Sequence, residues 1–337
     1  MKRYFILVVL SLFLLAGCEL LSPNYDYEIN LLNIALDYQN TDISSLYGTL
    51  NDSKELEKTI RLICSEQEIN YTNFSYHQEG IKHDSATVND LNYPSKTNIL
   101  SALEKLSTIS HDNSINIIYY SGHANQNGSW LLATTDTLST EYGTSFSSNG
   151  LVNEEQLLSV DEIYNSLVEV KGKVVIIVDS CYSGNFYKDS AYSLSDEKFN
   201  FIDAYNKFIS TNEETNDIYI LVATEKDNKS YEPSSLYNSR IHGYFTKALL
   251  EGLGWCDGEK GVLSTTIDEY YIDEDGIQGE LSNGVPPAAK NNIVSIDSLV
   301  SYIKSNQEIA QNSNNYDVYH QYPQVSGGRF DLVLFRY

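Results

Sequence analysis

The chain has 337 residues, 42% of them hydrophobic, enough for one large or two modest domains with a buried core. Its formal charge of -24 excludes nucleic acid as a natural partner, since a polyanion is repelled by such a surface, and favours cationic ligands. The four cysteines form no Cys-x-x-Cys pair or His/Cys cluster of the kind that binds zinc, and no glycine-rich phosphate cradle is present.

In chain order, Met1-Lys2-Arg3 gives a positive start, Tyr4 to Leu15 an apolar run short for a membrane span, and Leu15-Ala16-Gly17-Cys18 a small-residue ending. This resembles a bacterial lipoprotein signal over residues 1–17, with cleavage before Cys18 and lipid on that cysteine. An ordinary secretory peptide or an uncleaved anchor is the alternative. Two or more acyl chains suffice for stable anchoring, which places the protein in the cell envelope outside the cytoplasm, with 18–28 as tether and 29–337 as one domain. Outside the cytoplasm Cys64, Cys181 and Cys256 are an odd number; a Cys64 to Cys256 disulfide and two unpaired structural thiols both fit.

The predicted elements then alternate. Strands are expected at Leu31 to Tyr38, Ile69 to Tyr76, Ser114 to Tyr120, Val174 to Val178 and Ile218 to Ala223. Helices are expected at Asp52 to Ser65, Ser95 to Ser107, Asp161 to Glu169 and Tyr244 to Leu253, with Ser95 and Asp161 suited to N-cap or first-turn positions. Strand-helix alternation argues for an α/β fold, a mostly parallel sheet with helices on both faces. The polar stretch 189–216 and the acidic, proline-containing stretch 257–292 read as insertions, the latter loop-rich rather than strand-forming. A last helix at Ile296 to Lys304 and a closing strand at Phe330 to Phe335 complete the domain.

Two strand endings carry the chemistry. The apolar run Val174-Val175-Ile176-Ile177-Val178 reads as a strand covered on both faces, and it stops at Asp179-Ser180-Cys181-Tyr182-Ser183-Gly184. Ser114 to Tyr120 likewise ends in Ser121-Gly122-His123-Ala124. Open α/β sheets collect their chemistry where such strands end. Alone, Cys181 reads equally as an inert buried thiol and His123 as a structural histidine. Two parallel strands in register would instead bring thiol and imidazole to one edge. A thiol that is only a few per cent ionised at neutral pH needs such a neighbour to act as nucleophile.

These endings resemble motifs of the caspase-like cysteine peptidases, most closely the metacaspase branch. Asp179-Ser180-Cys181-Tyr182-Ser183-Gly184 is similar to that family's nucleophile motif and Tyr120-Ser121-Gly122-His123 to its histidine motif. Tyr47-Gly48-Thr49-Leu50-Asn51-Asp52 and Pro94-Ser95-Lys96-Thr97-Asn98-Ile99 resemble two earlier motifs, and Val222-Ala223-Thr224 with Gly243 to Leu250 a later strand and helix. Together they span about residues 30 to 253. Ala124, Tyr182 and Thr49 depart from the family's Gly, His and Cys, but the two reactive side chains remain.

The resemblance implies a Cys181/His123 catalytic dyad, with Gly122 and Cys181 N–H groups as oxyanion donors. It also implies Asp52, Ser121 and Asp179 as a pocket for a basic residue, hence peptide or protein substrates cleaved after Arg or Lys. Asp179 lies two residues before Cys181, on the same strand face; Asp52 also reads as a helix N-cap. Calcium is a possible cofactor of such enzymes, and Asp136, Asp161 and Asp189 are the nearby acids, although scattered surface acids read at least as well without an ion. Lys198 and Lys207 are basic sites for maturation cleavage within 189–216. The competing reading is a catalytically inactive caspase-like surface lipoprotein that acts as a binding module, to which 27 tyrosines would be suited.

Overall fold

The computed structural model describes residues 27–39, 43–79, 90–133, 139–140, 143–144, 147–148, 151–152, 154–187, 218–225, 228–233, 241–257, 271–272, 278–281, 284–306, 321–327 and 331–337. The signal segment, Cys18, Asp136, Asp189, Lys198, Lys207 and much of the two expected insertions lie outside them. The main elements are β1 (Glu28–Leu36), α1 (Thr49–Glu66), β2 (Asn70–Gln78), α2 (Lys96–Ile109), β3 (Ser114–Ser121), α3 (Val160–Leu167), β4 (Lys173–Asp179), β5 (Ile218–Val222), α4 (Tyr244–Gly252), α5 (Ile296–Ser305) and β6 (Gln324–Gly327). Six strands form one sheet in the order β6-β5-β4-β3-β1-β2. The first five in sequence are parallel, and β6 runs antiparallel to β5. This is the α/β architecture the alternating pattern predicts.

Strand residues alternate between two cores because successive side chains point to opposite faces. Leu32, Ile34, Ile118, Tyr120, Ile176 and Val178 pack with α2 and α3. Leu31, Ile117, Tyr119, Val175 and Ile177 pack with α1, α4 and α5 on the other face. Burial on both faces explains the unbroken apolar runs of β3 and β4. Helix starts follow cap chemistry. Ser95 accepts from the Asn98 N–H, and Ser159 with Glu162 forms a reciprocal capping box at α3, which leaves Asp161 in the first turn.

Three expectations need correction. Helix α1 begins at Thr49 with Gly48 as its N-cap, so Asp52 lies inside the first turn and caps nothing on its own helix. The terminal strand Val333–Arg336 pairs with Ile293–Ser295 away from the main sheet, whose edge is closed instead by β6. Within 257–292, the described residues Tyr271–Ile272 and Gln278–Leu281 join Trp255–Asp257 in a three-stranded antiparallel sheet rather than an all-loop segment. Of the two readings open for Cys64 and Cys256, the structure has the unpaired one: both are free thiols, Cys64 buried among the residues of α1's core.

Strand register decides which side chains meet at the sheet's edge. Asp179 pairs with Ser121 and Ser121 with Ala35, so β4, β3 and β1 end level with one another. Cys181 and His123 therefore each stand two residues past a paired position, and Tyr38 three past Ala35. All three leave the same carboxyl edge of the sheet.

Candidate active site

At that edge lies a cleft of about 370 Å³, partly open to solvent, lined by Cys181, His123, Ser121, Gly122, Asp52 and Asp179 among others. Every catalytic and substrate-binding residue expected from the sequence thus faces one space. The cleft also contains Glu232, Ser230 and Gly243, to which the sequence pattern assigns no role.

His123 is held at both ends. Its Nε2 lies 2.7 Å from the Ser44 carbonyl oxygen, which can only accept, so the neutral ring carries its proton on Nε2 and keeps the Nδ1 lone pair. Burial pushes its pKa down, and the Ser44 bond acts the other way. Cys181 sits half-buried with its thiol donating to the Ser230 carbonyl at 3.7 Å. Burial raises its pKa; the Ser230 bond, Lys229 and its own amide N–H lower it, and the Asp179 charge raises it. With the thiol pushed up and the imidazole down, the resting pair is uncharged. Tyr182, directly after the nucleophile, has φ of 57°, an uncommon conformation for a bulky side chain and one that marks the sharp turn presenting Cys181.

The three carboxylates are positioned by helix N-termini. Asp179 Oδ2 accepts the Thr246 N–H and hydroxyl in the first turn of α4, at 3.2 and 2.7 Å, while Oδ1 accepts the Ser230 hydroxyl at 2.6 Å. Asp52 accepts the N–H of Gly243, the α4 N-cap, at 3.0 Å and pairs with His242 Nδ1 at 2.8 Å. Glu232 accepts the Tyr47 and Gly48 N–H groups at the start of α1, at 2.9 and 2.7 Å. Neither helix has a side-chain cap from its own N-cap residue. The acids supply the missing acceptors from other elements, an arrangement worth roughly 0.3 to 1 kcal/mol each and up to about 2 when partly buried. Ser121 lies at the pocket floor against the Tyr119 hydroxyl, which in turn meets the Thr246 hydroxyl at 2.8 Å.

Gly243 lets two of these acids converge. A Cβ on Gly243 would stand 2.5 Å from Asp179 Oδ2 and 3.1 Å from Asp52 Oδ2, so both oxygens crowd the same bare Cα. Burial raises the pKa of Asp52, Asp179 and Glu232 alike; the Asp179 charge adds to the first and third, and the backbone and hydroxyl donors oppose the rise.

The Gly122 N–H, expected as an oxyanion donor, here donates to the Asp179 carbonyl at 3.3 Å, extending the β3–β4 ladder by one rung. Gly122 is required for space instead, because a Cβ there would fall 2.7 and 2.8 Å from the hydroxyls of Tyr120 and Tyr38. Of the calcium acids, Asp161 is exposed in the first turn of α3, and among the described residues no group of three or more His, Cys, Asp or Glu is arranged to hold a metal ion. Asp136 and Asp189 lie outside the described residues.

The Caspase domain family matches residues 32–330, nearly the whole described fold, so the chain belongs to that family of cysteine peptidases. A search of curated proteins gives no match. Among solved structures, the crystal structure of a Geobacter sulfurreducens protein superposes with a TM-score of 0.45 at 14% identity, covering 89% of this chain and 93% of that one. A likeness at that level carries no functional argument.

The carboxylates make a stability prediction. A carboxyl whose folded pKa lies above its unfolded value is destabilised when charged, and the deficit disappears as pH falls through the folded pKa to the ordinary value near about 4. Asp179→Asn should therefore raise the melting temperature at neutral pH, with the gain shrinking toward acid. Equal melting temperatures at neutral pH would show that the donors around Asp179 fully offset its burial.

Proposed function

We propose that the protein is a cysteine endopeptidase that cleaves peptide bonds after Arg or Lys. The observation that carries this reading is the joining, in one cleft, of a thiol, an imidazole with its Nδ1 lone pair retained, and three carboxylates with raised pKa values. Buried acids of this kind are costly unless a cation enters, and a guanidinium or ammonium is the cation a peptide brings. Acceptor capacity supports the same conclusion. Beyond their bonds to the helix starts, His242 and Ser230, and counting partners among the described residues alone, one site on each Glu232 oxygen, one on Asp52 Oδ2 and one on Asp179 Oδ1 remain, which suits the multiple donors of Arg or Lys.

In the mechanism, His123 Nδ1 takes the Cys181 proton as the sulfur attacks the scissile carbonyl. The tetrahedral oxyanion is stabilised by the Cys181 N–H, which already lies against the sulfur. Collapse breaks the C–N bond, and the imidazolium returns its proton to the leaving amine. Water then attacks the thioester, His123 takes its proton, and release of the acid product restores the thiol. The Ser44 carbonyl holds the ring in place throughout and stabilises the imidazolium by accepting the Nε2 proton's hydrogen bond.

A positional-scanning peptide library is the direct test. Wild type should cleave after Arg and Lys; Cys181→Ala and His123→Ala should each lose turnover while keeping the fold. Full activity in Cys181→Ala would remove the mechanism, and preference for Asp would remove the pocket assignment.

The pocket makes a separable prediction. Asp179→Asn should lower kcat/KM for Arg peptides by about tenfold or more, since it leaves a desolvated cation poorly paired. Alkylation of Cys181 by a small neutral reagent should persist, and run somewhat faster at neutral pH, because the Asp179 charge that opposes thiol ionisation is gone. A parallel fall in both would mean that Asp179 supports the nucleophile rather than the substrate.

The sequence further supports a mature protein that begins at lipidated Cys18, anchored in the cell envelope. Mass spectrometry of the membrane fraction should find an acylated N-terminal peptide at Cys18; the same peptide continuous with residue 17 and unmodified would rule the anchor out.

A further inference from the structure

Deepening the dyad reading on which it rests, we infer that the buried hydroxyls of Tyr38 and Tyr120 position His123 for catalysis. Both tyrosines are fully buried on the sheet face opposite the carboxylate pocket, and neither touches the cleft that holds the reacting atoms. Their hydroxyls close on the backbone of His123 from two sides. The His123 N–H donates to Tyr38 Oη at 3.0 Å, and Tyr38 passes its own proton to the Leu131 carbonyl at 2.6 Å. Tyr120 Oη donates to the His123 carbonyl at 2.5 Å, and that carbonyl also accepts the Leu131 N–H at 2.9 Å.

Every polar group in this ring is used. The His123 carbonyl has two donors for its two lone pairs, its N–H has an acceptor, and the two hydroxyls lie 3.3 Å apart. The Tyr38 ring also lies against the imidazole, centroids 4.7 Å apart at 41°, which limits ring rotation. Tyr120 is fixed in turn by stacking on buried Trp130 at 4.4 Å and 4°.

The chain accepts unusual local conditions to build this ring. Tyr38 has φ of 54°, disfavoured for a bulky residue, and Gly122 must lack a side chain because both hydroxyls occupy the space a Cβ would need. The segment that turns at Tyr38 is tied back where the Leu46 N–H donates to the Asp37 carbonyl, and it carries the Ser44 carbonyl that fixes the His123 tautomer. The N–H, ring plane and tautomer of His123 are thus set from the segment that follows β1, and its carbonyl from Tyr120 and Leu131. A hydroxyl that served only to fill the core would not need to bond the backbone of this one residue on both sides.

The test uses Tyr38→Phe and Tyr120→Phe in the full-length protein, each removing one oxygen and keeping the packed ring. Both should lower kcat about tenfold with KM for an Arg peptide within about twofold, and should move the pH midpoint of Cys181 alkylation upward by about half a unit or more, because a displaced imidazole assists the thiol less. In a double-mutant cycle, Tyr38→Phe should add nothing to the alkylation defect of His123→Ala. A purely structural role predicts a lower melting temperature with an unmoved alkylation midpoint, or additive effects in the cycle, and either result overturns the inference. Should one variant fail to fold, the other reads the same ring. Loss of Arg and Lys cleavage by wild type with a shifted alkylation midpoint in the variants would reject the specificity reading and leave the positioning role standing. Alkylation unaffected by His123→Ala would reject the dyad and the positioning role together.

Discussion

Anionic side chains held at helix N-termini organise this cleft. Helices α1 and α4 both start without a side-chain cap of their own, and their first N–H groups find acceptors in carboxylates from elsewhere: Glu232 for α1, Asp52 and Asp179 for α4. Each bond ties two elements together, so the pocket wall and the packing of α1 against α4 are one structure. The helix ends supply partial positive charge but no full cation. That is enough to place three acids around one cleft and too little to return their pKa values to the ordinary range. The burial of the three acids is thus only partly offset by the donors that hold them.

The second constraint is register. Because β4, β3 and β1 are parallel and end level, three loops emerge side by side, carrying Cys181, His123 and Tyr38. Strand parity then divides the labour. Ser121, Asp179 and Cys181 follow the face of Tyr119 and Ile177, toward α1 and α4, whereas Tyr120 follows the face of Ile118 toward α2 and α3. His123 stands between the two, its ring in the cleft and its backbone held from behind.

These two constraints differ in how far sequence reveals them. Strand endings are local: an apolar run halted by Asp179-Ser180-Cys181 or by Ser121-Gly122-His123 shows its break in a few residues, and pairing two such breaks yields the sheet and the thiol-imidazole edge. Cross-chain caps are not local. Glu232 bonds N–H groups at Tyr47 and Gly48, and Asp52 bonds His242 and Gly243, partners 184 to 191 residues apart in sequence. In sequence Asp52 reads as its own helix's cap, and Glu232 is an ordinary acid before a proline. The signal that was present lies in the uncapped starts, Gly48 before α1 and Gly243 before α4: a helix that opens on glycine without Ser, Thr, Asp or Asn has its first N–H groups to offer. Gly122 misled for a related reason, since its place beside the histidine suggests a donor, and only the tyrosine hydroxyls packed where a Cβ would go reveal that space is what it supplies.

The pocket and the dyad are also coupled by charge. Asp179 raises the Cys181 pKa, so one of the acids proposed to bind a basic side chain also opposes ionisation of the thiol. Ser230 links them physically, its hydroxyl donating to Asp179 and its carbonyl accepting from the Cys181 thiol. Under the proposed specificity, a guanidinium entering against Asp179 cancels the field that opposes ionisation of the sulfur. A thiol that is protonated and hydrogen-bonded at rest, beside a neutral imidazole, is thereby released toward the base by the substrate that the acids select. Specificity in such an arrangement lies in activation of the nucleophile as well as in binding, because a peptide without the cation leaves the Asp179 field in place.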